Sequence, residues 1–177
     1  MKPNRQQMSS ADAVSTSAPG TRIDQWVVFR LDAGRYALPL AAVDRIVRAV
    51  QVTELPQAPS VVLGAIDIGG DVLPVFDLRR RFGLPRRAID PDDQFVIART
   101  ATRAVALAID AASGVIGQPE SAVIDSASLA PQLAQIRGVI PLEDGLVLIQ
   151  DLERFLSIDE AEALDHAIDQ ARQSDAR

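Results

Sequence analysis

One sequence motif, which we call the repeated phrase, occurs twice in the chain, and this repetition constrains the fold more than any other feature. "VLPVFDLRRRF" begins at Val72, and "LVLIQDLERFL" begins at Leu146. Each phrase is an apolar, strand-like run that meets an aspartate and then a short amphipathic segment. An internal repeat indicates duplication of a structural unit, so we expect two similar units in the chain.

The repeat extends through most of the chain, in units of roughly seventy residues. An offset of 69 residues relates the early segments, and an offset of 74 residues relates the later ones. Apolar character persists at most paired positions. The pairs include Trp26 with Phe95, Arg30 with Arg99, Leu38 with Leu107, Ile46 with Val115, Gly64 with Gly138, Asp77 with Asp151 and Arg80 with Arg154.

Short apolar runs separated by glycine and proline predict an all-β protein. "WVVFRL" from Trp26 and "VALAID" from Val105 are strand-like, and Gly69-Gly70 is typical of a hairpin turn. In "YALPL", Pro39 indicates an edge strand or a bulge. A unit of this size with about five strands is most simply a small barrel, so we predict two barrels packed together.

Two segments carry helical spacing instead. Residues 43–50 place Val43, Ile46, Val47 and Val50 on one face, which predicts one or two helical turns. After residue 158, the residues Ala161, Leu164 and Ile168 predict an amphipathic C-terminal helix, followed by a tail to residue 177.

Composition narrows the class of function. The 177 residues are 47% apolar, carry a net charge of −6 and contain no cysteine. Acidic balance argues against nucleic acid as a partner, and the lack of thiols removes thiolate metal ligands and nucleophiles. Residues 1–23 are polar and predict a disordered tail without a signal peptide. No apolar run reaches the ~20 residues of a membrane span, and no cofactor-binding motif is present.

Asp77 and Asp151 occupy equivalent places in the two units and admit two interpretations. A symmetric carboxylate pair is compatible with acid–base hydrolysis if both groups meet in one cleft. The alternative, which the following leucines favour, is that each aspartate ends a strand and caps a short helix. On that interpretation the repeated phrase has a structural role and not a catalytic one.

An arginine cluster follows Asp77 in "RRRFGLPRR". It indicates either a solvated surface or a binding patch for an acidic ligand. Few aromatic residues are interleaved, so stacking on nucleic-acid bases has little support. The cluster comprises Arg79, Arg80, Arg81, Arg86 and Arg87.

The order of phrases resembles the CheW-like coupling proteins of bacterial chemosensory arrays. The similarity covers about residues 24–158 and includes "FRLDAGRYALPLAAVDRIVR", "VALAIDAASGVIG" and "IRGVIPLEDGLVLIQDLERFL". Its most specific pieces are the frame P-x4-G-x5-G-x3-P-x2-D-L from Pro59 to Leu78 and the closing "GLVLIQDL" from Gly145.

The resemblance implies two SH3-like five-stranded barrels, of about 24–90 and 91–158 or with their strands interleaved, and no enzymatic activity. It implies a cytoplasmic adaptor recruited to membrane-associated receptor arrays. The expected partners are the regulatory domain of a CheA-type histidine kinase, contacted through an apolar strand edge, and the cytoplasmic tip of a methyl-accepting chemoreceptor.

The resemblance also implies a receptor groove, and two of its charges differ here from the family pattern. Arg45 stands where members usually carry an acidic residue, and "DIGG" replaces "NLRG", so Gly69 stands in place of an arginine. Because charge arrangement sets partner choice, this predicts altered receptor specificity. The implied groove residues are Val43, Arg45, Ile46, Ile66, Asp67, Gly69 and Gly70.

Overall fold

The computed structural model describes residues 22–126, 136–155 and 158–175. The predicted tail up to residue 21 lies outside the described residues. The strands are β1 (Ile23–Leu31), β2 (Gly34–Pro39), β3 (Val43–Arg48), β4 (Val62–Ile68), β5 (Asp71–Asp77), β6 (Gln94–Arg99), β7 (Ala104–Ile109), β8 (Ala111–Pro119), β9 (Ile124–Asp125), β10 (Ile136–Leu142) and β11 (Gly145–Gln150). The α-helices are α1 (Leu78–Arg81) and α2 (Ile158–Asp175), and short 3-10 helices span Leu40–Ala42, Glu120–Ala122 and Leu152–Arg154.

The strands form two sheets, which we call the A sheet and the B sheet. The A sheet has the order β8-β1-β2-β11-β10-β9, and the B sheet has the order β3-β6-β7-β5-β4. The A sheet counts six strands because β9, a two-residue strand, continues β8 after a 3-10 turn and pairs with β10. In the B sheet, Thr53 plays the same part after β3, because it bridges to Ala65 of β4. Each sheet is thereby curled into a small barrel.

Each sheet contains strands from both halves of the sequence repeat. The hairpin β1–β2 belongs to the first half but joins β8–β11 of the second, and β6–β7 joins β3–β5 of the first. The junctions are the two parallel pairings, with Ile149 opposite Ala37 and Phe76 opposite Leu107. The halves have therefore exchanged hairpins, and neither barrel is complete without the other half.

Repeat-related glycines sit where each barrel curls shut. A Cβ on Gly64 would lie 2.1 Å from the carbonyl oxygen of Thr53, and one on Gly138 would lie 2.7 Å from that of Ile124. Only glycine lets two backbones approach this closely. The glycines of the repeated pattern thus have the same structural role in both barrels.

The main core joins the two barrels. Phe29 and Leu38 of the A sheet pack with Phe76 and Leu107 of the B sheet, and all four are 2% exposed or less. The predicted apolar face of α2 contributes Leu164 and Ile168 to the same cluster. Burial of such a side chain contributes about 1.5–3 kcal/mol, so this shared core holds the barrels together.

Four expectations about local structure have definite outcomes. The Gly69-Gly70 hairpin is confirmed, with positive φ of 69° and 93°. The helix predicted over 43–50 is wrong, because its β-branched residues form β3, with Ile46 opposite Val96 of β6. The edge position predicted from Pro39 is also wrong, because β2 lies between β1 and β11 and Pro39 is merely its last residue. Strand β1 begins at Ile23, which pairs with Pro119, so the tail predicted over residues 1–23 is wrong at its last residue.

Candidate functional site

The two aspartates of the repeated phrase each hold the start of their own short helix. An Oδ1 atom of Asp77 accepts the backbone N–H of Arg80 at 3.1 Å, and one of Asp151 accepts that of Glu153 at 3.1 Å. The two residues line separate surface depressions. The hydrolase interpretation requires both carboxylates in one cleft, and this geometry does not provide it.

Two arginines of the cluster belong to an internal ion-pair network. Arg79 is buried and pairs with Asp32 at 2.8 Å and with Asp110 at 2.7 Å. Arg87 pairs with Asp93 at 2.5 Å and with Asp110 at 2.7 Å. The network ties α1 and the loop after it to the β1–β2 turn and to the end of β7. Its arginines are therefore committed within the protein.

The other three arginines differ among themselves. Arg81 pairs with Glu160 of α2 at 2.8 Å and donates to the carbonyl of Phe155. Within the described ranges, Arg80 and Arg86 are exposed and make no ion pair. Because three of the five guanidinium groups already have acidic partners, the acidic-ligand patch has little free charge to offer.

Asp110 is the centre of the network, and its charge is stabilised there. Burial by itself raises the pKa of this carboxyl, but hydrogen bonds from Arg79, the backbone N–H of Asp32 and Arg87 outweigh burial and hold the pKa below its usual range. A carboxyl with a lowered folded-state pKa contributes stability above its unfolded pKa of ~3.9 and loses it as the pH falls.

We therefore expect Asp110→Asn to lower the free energy of unfolding at neutral pH by about 2 kcal/mol, since charge-assisted bonds to Arg79 and Arg87 are lost. The variant should also lose less stability than the wild type between about pH 5 and pH 3. Urea denaturation across this pH range measures both effects. Asp71→Asn, at an exposed position, is the matched control and should leave both unchanged. If the free energy of unfolding fell equally with pH in the wild type and in Asp110→Asn, the stabilising role of the Asp110 charge would be contradicted.

A polar groove of about 610 Å³ lies between the B sheet, the β6–β7 turn and α2. Arg45 and Gly70 of the predicted receptor residues line it, together with Val72. Ile66 is only 3% exposed and belongs to the core of the B barrel. Asp67 shapes the hairpin beside the groove, since it accepts the N–H of Gly70 at 2.8 Å.

Val43, Ile46 and Gly69 lie near this groove along the chain but are not among the residues that line it. Val43 is half-buried against the main core, whereas Ile46 is 36% exposed on β3. The structure thus brings Arg45 and Gly70 together in the groove and places Asp67 against Gly70, whereas Ile66 and Val43 pack into the cores.

The C-terminal helix forms one wall of the groove, which sequence reasoning missed. Its wall residues are Asp165, Ile168, Asp169 and Arg172. Asp165 pairs with Arg103, and Asp44 pairs with Arg99 at 2.8 Å. Among the described residues, Arg45 makes no ion pair, so its charge is available to a partner. The polar face of α2 was the signal for this wall, but the sequence did not show where the helix packs.

Among the described residues, six exposed apolar side chains are divided equally between the two barrels. Ile46 with Val115 and Val72 with Leu146 are repeat-related pairs, and Val50 and Ile124 follow β3 and β8 in their respective barrels. Val72 is 44% exposed and Leu146 is 60% exposed. One member of each pair belongs to the B barrel and the other to the A barrel. Each barrel therefore presents an apolar set, which we call the A set (Val115, Ile124, Leu146) and the B set (Ile46, Val50, Val72).

The two sets differ in their electrostatic surroundings. Strand β8, which carries Val115, has no charged residue from Ala111 to Pro119. Its repeat equivalent β3 carries Asp44, Arg45 and Arg48. An uncharged strand edge is unprotected against pairing or packing with another chain, whereas a charged one is selective. The two copies of the repeated unit thus present chemically different surfaces.

Within the described ranges, no group of three or more acidic or histidine side chains is placed to hold a metal ion. No helix of that part of the chain is both long and apolar enough to cross a membrane. The geometry consists of surfaces, grooves and internal ion pairs.

Residues 25–160 match the model of the CheW-like domain. The chain belongs to the CheW-like family. It is 28% identical over 141 residues to the chemotaxis protein CheW of Rhizobium meliloti, covering 77% of this chain and 90% of that protein. It is likewise 28% identical over 141 residues to chemotaxis protein CheW of Bacillus subtilis, covering 80% of this chain and 86% of that protein.

A solved structure gives the same result for the fold. The scaffolding protein TtCheW from Thermoanaerobacter tengcongensis superimposes with a TM-score of 0.72 at 26% identity, covering 78% of this chain and 96% of that one. The predicted fold class, two packed SH3-like barrels with few helices, is confirmed.

Proposed function

We propose that this CheW-like protein is a non-enzymatic chemotaxis adaptor that couples chemoreceptors to a CheA-type histidine kinase. The observation that carries the proposal is the match of residues 25–160 to the family, together with a doubled barrel that exposes an apolar set on each unit. An adaptor needs two partner surfaces that can be occupied at the same time. A duplicated unit supplies them in a fixed relative position.

The kinase regulatory domain is proposed to bind the A set. Val115 lies on the uncharged strand β8, and Leu146 is the most exposed large apolar side chain of the described residues. Contacts of this kind are dominated by a few desolvated apolar side chains. The A set fits a partner that presents an apolar strand edge.

The receptor tip is proposed to bind the groove lined by Arg45, Gly70 and Val72. The groove is polar and α2 forms one wall, so its charges are positioned to select among partners. Arg45 offers a positive charge where family members usually carry a negative one. We propose that this charge gives the protein a receptor specificity of its own, with an acidic residue of the receptor facing Arg45.

The proposed setting is the cytoplasm, with recruitment to membrane-associated receptor arrays through the receptor tip. Recruitment of this kind needs no membrane insertion by the adaptor itself. It does require that receptor and kinase bind together, which the separation of the groove and the A set permits.

Isothermal titration with the cognate receptor fragment and the kinase regulatory domain tests the proposal. We expect both to bind, and we expect Arg45→Glu to weaken receptor binding by at least roughly tenfold while leaving kinase binding unchanged. Arg48→Glu is the matched control, because Arg48 is exposed on the same strand but does not line the groove. Failure of both fragments to bind the wild type at low salt would refute the proposed function.

A further inference from the structure

The duplicated fold contains two equivalent junctions, each next to a capping aspartate. The first is lined by Leu63, Asp77, Arg79 and Ala108, and the second by Arg137, Asp151, Glu153 and Pro39. These residues match one another under the offsets of the sequence repeat. The two junctions differ greatly in free space, which is about 20 Å³ in the first and about 350 Å³ in the second.

The first junction is filled by carboxylate–guanidinium pairs from within the chain. Arg79 donates from its Nη2 atom to both oxygens of Asp110, at 2.7 and 2.8 Å. Arg87 donates to both oxygens of Asp93, at 2.6 and 2.5 Å. This side of the molecule is therefore closed by its own acidic residues.

At the second junction, a residue with a buried amide lines the open space. Gln150 is 2% exposed, and neither its Oε1 nor its Nε2 has a hydrogen-bond partner among the described residues. Its repeat equivalent is Phe76, an ordinary core residue. A buried polar group without a hydrogen-bond partner lowers the stability of the folded state, whereas an apolar side chain in the same place does not. The presence of an amide at this position therefore requires an explanation.

The charges at this junction leave one cation available. Arg99 is paired with Asp44, Asp151 with Arg154, and a Glu153 oxygen accepts the backbone N–H of Ala101 at 2.9 Å. Arg137 makes no ion pair within the described ranges. Its guanidinium lies 5.8 Å from the ring of Trp26. Its neighbour Ile136 lies opposite Gln150 in the β10–β11 ladder, and Arg137 and Gln150 both line the junction.

We propose that this second junction, the Gln150 junction, is a binding site for an acidic peptide segment of a protein partner. Both amide atoms of Gln150 are buried in the free protein, so the side chain turns toward the open space on binding. A carboxylate of the segment then accepts from Arg137 and from Gln150 Nε2, and a backbone N–H of the segment donates to Gln150 Oε1. The partner thereby supplies the acidic group that Asp110 and Asp93 supply at the first junction. This site goes beyond the proposed coupling function, since it lies outside the A set and uses none of the residues that carry the argument for the receptor groove.

The test is an NMR titration of the ¹⁵N-labelled full chain with N-acetyl-Gly-Glu-Gly-amide. We expect saturable shifts of the Gln150 side-chain amide and of the Arg137 guanidinium. The matched peptide N-acetyl-Gly-Gln-Gly-amide should bind roughly tenfold more weakly, because it lacks the charge that strengthens the hydrogen bonds. Gln150→Leu and Arg137→Gln should each weaken binding of the acidic peptide by a similar factor.

Loss of binding in Gln150→Leu cannot be attributed to unfolding. Leucine is apolar, like the repeat equivalent Phe76, so the substitution should leave the melting temperature unchanged or raised. Arg80→Gln, at an exposed arginine outside the junction, should bind like the wild type. The proposal is overturned if the acidic peptide causes no saturable shift at Gln150, if both peptides act equally, or if Gln150→Leu binds as tightly as the wild type. Because no receptor or kinase is present, these outcomes do not bear on the proposed coupling function.

Discussion

Alanine in place of Gly64 should destabilise the folded protein by more than about 4 kcal/mol, which is enough to unfold many domains of this size. The new Cβ would lie 2.1 Å from the carbonyl oxygen of Thr53, and that oxygen accepts the N–H of Ala65 at 2.8 Å. Gly64 also has φ of +151°, which alanine rarely adopts. The substitution therefore disrupts the backbone bridge between Thr53 and Ala65 that closes the B barrel.

The comparison that isolates this clash is Gly83→Ala. Gly83 also has positive φ, at +67°, but a Cβ there would meet nothing within 4 Å. It should cost only about 1–2 kcal/mol, the intrinsic penalty of the left-handed conformation. Chemical denaturation of both variants measures the difference. Equal stabilities would show that the close approach at Thr53 is not what fixes the barrel. Gly138→Ala, with its contact of 2.7 Å to Ile124, should fall between them.

The repeat made much of this architecture predictable. Matching offsets placed Gly64 on Gly138 and Asp77 on Asp151, and both pairs have the same structural role in the two barrels. What the repeat could not show is the exchange of hairpins. A duplication specifies two similar units, but the pairing of β2 with β11 joins residues more than a hundred positions apart, and no local pattern marks it.

Strand β3 shows where periodicity fails. Its spacing of apolar residues fits one face of a helix, but short apolar runs are ambiguous between helix and strand. Its valines and isoleucine favour a strand once β6 is available as a partner, and that partner lies about fifty residues away. The sequence contained the preference but not the neighbour that decides it.

The surfaces were less predictable than the fold for a related reason. The arginine cluster is conspicuous in the sequence, but Asp32 and Asp110, the acidic partners of Arg79, come from other segments of the chain. Only packing shows that Arg79 and Arg87 are already neutralised. The repeat offsets relate Val72 to Leu146, so the sequence could have indicated that these two residues are equivalent. Their exposure could not be predicted, because buried and exposed strand positions are both apolar in this chain.

Aspartate at Leu146 and aspartate at Val72 should separate the two proposed partners. We expect Leu146→Asp to weaken binding of the kinase regulatory domain by roughly a hundredfold, since loss of a central apolar contact costs at least about 2 kcal/mol and a buried charge adds to it. Receptor binding should be unchanged. Val72→Asp should have the opposite effect, because Val72 lines the groove with Arg45. Both side chains are largely exposed, so neither variant should unfold the protein.

The decisive measurement is a three-component sedimentation assay with receptor fragment, kinase regulatory domain and each variant. The wild type should bring both partners into one complex, each single variant should retain one partner, and the double variant should retain neither. Thermal melts confirm that folding is intact. If both single variants lost the same partner, the two barrels would share one binding surface, and the duplication would serve the stability of the fold instead of bridging. Only the reciprocal pattern is compatible with an adaptor whose two halves have diverged to bind different proteins.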